Sequence, residues 1–70
     1  MPHVTIDIIP DGHSKEELER LAKTAQRGIA QTLGIDEGMV SVAIRKRDKK
    51  EWSSFIRSIS EEIMVVKPGY

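Results

Sequence analysis

The sequence predicts an α/β fold, a single βαβ unit spanning residues 1–70 as one domain and closed by short C-terminal helices. Three observations predict it. Two stretches alternate apolar and polar residues, the period of a half-buried strand, and an apolar stripe at three- and four-residue steps lies between them. Turn residues separate the three segments. A strand, a helix of about 20 residues and a second strand form a crossover that is right-handed in about 98% of cases, which makes the strands parallel.

The first strand is read from His3 to Ile9. Val4, Ile6 and Ile8 fall on one face and His3, Thr5 and Asp7 on the other. Pro10, Asp11 and Gly12 end it with turn chemistry. Ser14 followed three places later by Glu17 matches a capping box, which satisfies the free amides at a helix start. From there Leu18, Leu21, Ala22, Ala25, Ile29 and Leu33 trace one apolar stripe, and Gly34 ends the helix as a C-cap. Gly28 sits inside this helix at a cost of about 1 kcal/mol relative to alanine, which points to close approach of a strand or a neighbour. After the polar turn Asp36-Glu37-Gly38, the stretch MVSVAIRK alternates again. It turns Val40, Val42 and Ile44 inward and Ser41, Ala43 and Arg45 outward.

Asp48-Lys49-Lys50-Glu51 reads as another helix start. Trp52, Phe55, Ile56, Ile59 and then Ile63 keep helical spacing over one or two short helices. Met64-Val65-Val66 reads as a short extended piece before the turn-like ending Lys67-Pro68-Gly69-Tyr70. No repeat or low-complexity segment interrupts the chain.

Bulk composition narrows the function classes. Eleven basic and eleven acidic residues cancel in a chain of 70, so no global field draws nucleic acid or an anionic membrane. The densest basic run, Arg45-Lys46-Arg47-Asp48-Lys49-Lys50, lacks interleaved aromatics and reads as a solvated strand end. The two histidines, His3 and His13, have no metal-ligand spacing, and neither metal nor cofactor is expected. No signal segment and no apolar run of membrane-spanning length is present, so the expected location is cytoplasmic.

A domain this short buries only about 60% of the surface its unfolded chain exposes, and this one has no cysteine to cross-link. Two strands alone are also marginal in water. Pairing the strands of two copies edge to edge would give a four-stranded sheet with two helices, so a homo-oligomer is expected.

Pro2, heading the first strand, carries the sharpest functional question. It lacks a backbone donor and suits the opening of an edge strand. If Met1 is trimmed, it also becomes a free secondary amine on a rigid ring, able to act as base or nucleophile. The opening "MPHV", "VSVAI" in the second strand, Trp52 a few residues after it and the ending "KPGY" decide between these readings. Together, and across essentially the whole chain, they resemble the tautomerase superfamily of the 4-oxalocrotonate tautomerase type, closest to its bacterial phenylpyruvate-tautomerase-like branch.

The resemblance implies an isomerase. Pro2 would be the general acid/base that moves a proton from the enol hydroxyl of a 2-hydroxy-alkenoate to carbon, giving the 2-keto acid without a cofactor. An α-amino group ordinarily titrates near 7.7 to 8.0, and desolvation or a neighbouring cation favours its neutral form, which can accept a proton. Two arginines of the better-known branch correspond here to His13 and Ser41. Those departures point away from a dianionic substrate and toward a monocarboxylate with an apolar tail, such as phenylenolpyruvate. Arg45, on the strand face of Ser41, is the candidate to supply the missing charge, and Trp52 falls where the family places an aromatic pocket wall. Hexameric relatives carry a glycine-rich hairpin after the aromatic, whereas this chain has SSFIRSISEE, which favours a dimer over a hexamer.

Each residue also has a plainer reading. Taken alone, His13 is a solvated turn residue, Trp52 a core or interface anchor, and His3 a structural or interfacial side chain. Two other functions stay open. One is a different proline-dependent proton transfer on unsaturated acids, such as dehalogenation or decarboxylation, which needs a water-activating acid beside the proline. The other is a non-catalytic oligomeric interaction module with Pro2 masked by Met1.

Overall fold

The computed structural model describes residues Met1–Tyr70. The elements are β1 (His3–Ile8), α1 (Lys15–Leu33), β2 (Ser41–Lys46) and α2 (Trp52–Ser58), with single 3-10 turns at Glu37–Met39 and Lys49–Glu51. β1 and β2 are parallel, in a register that runs from His3 opposite Ser41 to Ile8 opposite Lys46. The expected βαβ unit is therefore present, with one two-stranded sheet.

Both strands are shorter than the alternation suggested. β1 stops at Ile8 because Ile9 precedes a proline, which restricts its backbone and offers no further donor. β2 starts at Ser41 because Asp36 captures the residues before it. The Asp36 carboxylate accepts from the Gly38 N–H at 3.0 Å and winds Glu37–Met39 into a 3-10 turn. The ladder then opens with the Ser41 N–H donating to the Pro2 carbonyl at 3.3 Å, and closes with Arg47 N–H on the Ile8 carbonyl at 2.8 Å.

Local chemistry fixes both ends of α1. Ser14 Oγ accepts from the Glu17 N–H at 3.1 Å while the Glu17 carboxylate accepts from the Ser14 N–H at 3.4 Å, completing the capping box. Gly34 ends the helix at φ 68°, a left-handed conformation that glycine adopts without the Cβ clash other residues meet. Midway, Gln26 reaches across to the loop before β2. Its Nε2 donates to the carbonyls of Glu37 at 2.9 Å and Val40 at 3.1 Å.

Packing departs from the apolar stripe read in the sequence. Leu18, Ala30 and Val40 are the buried residues, whereas Leu21 stays 39% and Leu33 59% exposed. Strands lie about 4.8 Å apart, so a two-stranded sheet is narrower than the stripe that should cover it. The line Leu18–Ala22–Gln26–Ala30 turns toward the sheet, and small side chains let the helix approach β2 closely. Beside that line Ala25, Gly28, Ile29, Thr32 and Leu33 line an open apolar groove. Nothing lies within 4 Å of where a Cβ on Gly28 would stand, so no close approach within the chain explains this glycine.

The C-terminal third is looser. α2 half-buries Trp52, Phe55 and Ile56. Met64-Val65-Val66 forms no strand: no edge lies alongside it, the segment bends, and Val65 is 90% exposed. Met64 alone of the three is half-buried.

Surface and shape carry the same message. The chain exposes 5767 Å². A folded monomer of 7.9 kDa would expose about 4,400 Å². Its radius of gyration, 13.5 Å, exceeds the roughly 11 Å of a compact domain of this length.

Replacing Gln26 by alanine removes two long-range hydrogen bonds, to the Val40 carbonyl and to the Glu37 carbonyl, the latter still accepting from the Val40 N–H at 3.0 Å. At fixed protein concentration, urea denaturation of Gln26→Ala should show a lower midpoint at unchanged slope, a loss of about 1–3 kcal/mol. An unchanged midpoint would mean the loop before β2 is held by something else.

Candidate active site

The strand face turned away from α1 is polar. Alternation places His3, Thr5 and Asp7 of β1 there, opposite Ser41, Ala43 and Arg45 of β2 respectively. This ladder has two chemically distinct ends.

The first end is built around Pro2, which is half-buried behind a Met1 that is 95% exposed. The Ser41 amide holds the Pro2 carbonyl, as described, and this fixes the proline against β2 by its backbone. His3 then locks Ser41 from the other direction: its Nδ1 lies 2.7 Å from Ser41 Oγ and its Nε2 3.1 Å from Thr5 Oγ1. Both His3 and Ser41 remain exposed, so this polar surface is open to a solute. Pro2, His3 and Ser41 thus form one connected unit.

The second end is an ion cluster. Arg47 Nε donates to Asp7 Oδ1 at 2.9 Å, and the Arg47 guanidinium lies 3.9 Å over the Phe55 ring. Arg45 Nε approaches the same Asp7 oxygen at 3.7 Å and is otherwise free. Phe55 packs on Trp52 with ring centroids 5.7 Å apart, and Trp52 Nε1 donates to Tyr70 Oη at 2.8 Å. Asp7, Arg47 and Phe55 thereby tie the sheet to α2 and, through Trp52, to the chain's last residue.

His13 stands apart from both ends. In the turn before α1 it donates from Nδ1 to Glu17 Oε2 at 3.1 Å, and with Ile8, Leu18 and Leu21 it lines a small cavity of about 230 Å³. That hydrogen bond, and then the Ser14 amide, holds the Glu17 carboxyl below its ordinary value of 4.5.

The five residues singled out in the sequence are therefore not gathered by one chain. Pro2 and Ser41 meet. Arg45 shares the face of Ser41 but lies four strand residues further on, about 13 Å away. His13 follows the far end of β1, about 20 Å from Pro2. Trp52 follows the far end of β2 and contacts Phe55 and Tyr70. The hydroxyl of Ser41, expected to meet substrate directly, is engaged by His3. His3, read as a structural or interfacial side chain, is the residue that holds Ser41, and Arg47, read as part of a solvated strand end, is instead a clamp on Asp7 and Phe55. Their signal was the strand register, which pairs His3 with Ser41 and brings Asp7 beside Arg45 and Arg47.

No cluster of three or more His, Asp or Glu side chains forms that could hold a metal ion, and no helix is long and apolar enough to cross a membrane. No family model matches the chain, and no curated protein does.

The Glu17–His13 pair carries a definite pH dependence. The folded carboxyl gives up its proton more readily than the unfolded chain's at 4.5, so the pair stabilises above that pH and its contribution is lost as acid protonates Glu17 in the folded state. A ¹³C titration of the Glu17 carboxyl should show a depressed midpoint that rises toward 4.5 in His13→Ala. Identical midpoints in the two proteins would rule out His13 as the cause.

Proposed function

We propose that this protein is a cofactor-independent keto-enol tautomerase of the tautomerase superfamily, acting on phenylenolpyruvate-like 2-hydroxy-alkenoates with Pro2 as general acid/base. The observation that carries the reading is the position of Pro2. It heads a strand, is half-buried behind an exposed Met1, and has its carbonyl anchored by the neighbouring strand while a polar face opens beside it. The resemblance through "MPHV", "VSVAI", Trp52 and "KPGY" supports it along the rest of the chain.

Once Met1 is removed, the Pro2 nitrogen is a secondary amine with little conformational freedom to lose on reaction. Shelter of that nitrogen by bound substrate or a second copy would favour its neutral form. That form takes the hydrogen of the C2 hydroxyl, the oxygen electrons close to a carbonyl, and the C2–C3 π electrons take a proton at C3 from the ring ammonium. The amine ends as it began and no external reactant is consumed.

The substrate carboxylate needs a donor or a cation. Arg45, about 13 Å from Ser41 in its own chain, can serve only from a second copy. In a two-fold pairing of edge strands the neighbours run antiparallel, so the Asp7–Arg45 end of one copy lies toward the Pro2 end of the other. The same symmetry brings Trp52 and His13 of the second copy toward the Pro2 end. The surface excess of about 1,400 Å² over a compact monomer exceeds the roughly 800 Å² each partner buries in a standard interface, which supports a dimer. In either copy Asp7 Oδ1 is already engaged by Arg47 Nε at 2.9 Å and faces Arg45 Nε at 3.7 Å, and a carboxylate held between two guanidinium groups favours tautomerisation over hydrolytic dehalogenation, which needs an acid turned to water.

Two measurements test this reading. Mass spectrometry should find Met1 removed, and the processed protein should consume the enol absorbance of phenylenolpyruvate. Pro2→Ala should lower kcat by about 10²–10⁴-fold, and equal rates in the two proteins would refute the mechanism. Sedimentation should give a dimer at micromolar concentration, whereas a monomer with full activity would exclude the role assigned to Arg45.

A further inference from the structure

At the Pro2 end of the sheet His3 is the side chain able to carry positive charge. That holds for the polar strand face; the other charged side chains near that end belong to α1 and the loop before β2, namely Lys23 beside Val40 and Val42, Arg27, Asp36 and Glu37. Asp36 caps the turn before β2, and Glu37 and Arg27 line a groove with Ala30, Gln31 and Ile35 beside α1. On the polar strand face the nearest charges, Asp7 and Arg45, are about 13 Å from His3 and Ser41. His3 is therefore the titratable side chain at this end of an exposed face that holds two hydroxyls, next in sequence to the Pro2 amine that the proposed mechanism protonates and deprotonates.

Its ring has a hydroxyl on each nitrogen, Ser41 Oγ at 2.7 Å from Nδ1 and Thr5 Oγ1 at 3.1 Å from Nε2. Proton placement in the ring consequently decides what Ser41 can offer. With hydrogen on Nε2 alone, Nδ1 must accept, the Ser41 hydrogen points back into the ring, and only oxygen lone pairs face outward. With hydrogen on Nδ1, the ring donates to Ser41 Oγ and the hydroxyl hydrogen is released to donate elsewhere. With both nitrogens protonated, Ser41 is still released and a positive charge is added. An anion beside Ser41 stabilises the second and third arrangements and repels the first.

We propose that His3 is a positioning residue for the substrate carboxylate: through its 2.7 Å bond it turns the Ser41 hydroxyl hydrogen outward from the polar strand face, at the end of the sheet where Pro2 begins β1. This rests on the tautomerase reading, in which a 2-keto or 2-hydroxy acid occupies that end. It gives Ser41 a carboxylate-binding role that depends on His3, and it supplies a donor from the same chain as Pro2.

Two sets of measurements test it. Kinetics with phenylenolpyruvate should show KM raised about tenfold in His3→Phe, with kcat changed less than threefold, as for one lost charge-assisted hydrogen bond. Ser41→Ala should do the same, the double variant should be no worse than either single one, and His3→Gln, which keeps an amide donor, should recover most of the loss. Additive effects, or a fall in kcat alone, would overturn the proposal. Imidazole ¹⁵N NMR of the unsubstituted protein needs no variant to fold. Adding phenylpyruvate should move His3 toward the Nδ1-protonated or doubly protonated pattern. If the protein lacks Pro2-dependent turnover but the ring still responds, the tautomerase reading fails and the carboxylate role of His3 stands. A ring that does not respond overturns the role of His3 whatever the turnover.

Discussion

Parallel pairing of β1 with β2, begun where the Ser41 amide meets the Pro2 carbonyl, is the constraint on which the rest of this small molecule depends. Parallel neighbours cannot be joined by a tight turn, so the chain must cross the sheet, and α1 is that crossing. Its ends are fixed by the Ser14 capping box and by Gly34, and its middle is tethered by Gln26 to the loop that delivers β2. Each of these local devices sets the offset of β2 against β1. That offset puts Ser41 opposite His3 and places Arg45 and Arg47 around Asp7.

The same geometry leaves the fold unfinished as a single chain. A helix with an apolar arc wider than two strands covers the sheet with only part of that arc, and the remainder, Ala25, Gly28, Ile29, Thr32 and Leu33, lines an open groove. Both sheet edges lack partners. On the opposite face, chemistry is divided between an end with hydroxyls and an imidazole and an end with guanidinium groups held by a carboxylate. A two-fold partner would cover apolar surface and bring unlike ends together, so completing the fold and completing the site are one event in the proposed mechanism.

What the sequence made legible was whatever is encoded over a few residues. The alternation in HVTIDII and MVSVAIRK, the Ser14–Glu17 box and the C-cap at Gly34 each specify local backbone, and each appears, with β1 ending at Ile8 and β2 beginning only at Ser41. The fate of the apolar stripe was not legible, because burial depends on sheet width. Ala30 is buried while Leu33 is exposed, the reverse of what side-chain size suggests. Met64-Val65-Val66 has strand-forming residues but bends and pairs with neither open edge of the sheet. The pairs that organise the polar face span the whole crossover, as His3 with Ser41 and Asp7 with Arg47 do, and their meeting depends on a register that no short stretch contains. Pro2 was singled out by resemblance, and the structure adds its surroundings.

The proposed mechanism makes one physical demand, that a ring nitrogen at the head of β1 be sheltered enough to stay neutral at working pH. Its titration tests this most directly, by ¹⁵N NMR of the processed protein labelled at proline. The proposed mechanism predicts a Pro2 midpoint below the ordinary α-amino range of about 7.7–8.0. A midpoint within or above that range would contradict it, leaving Pro2 as the opening residue of a strand.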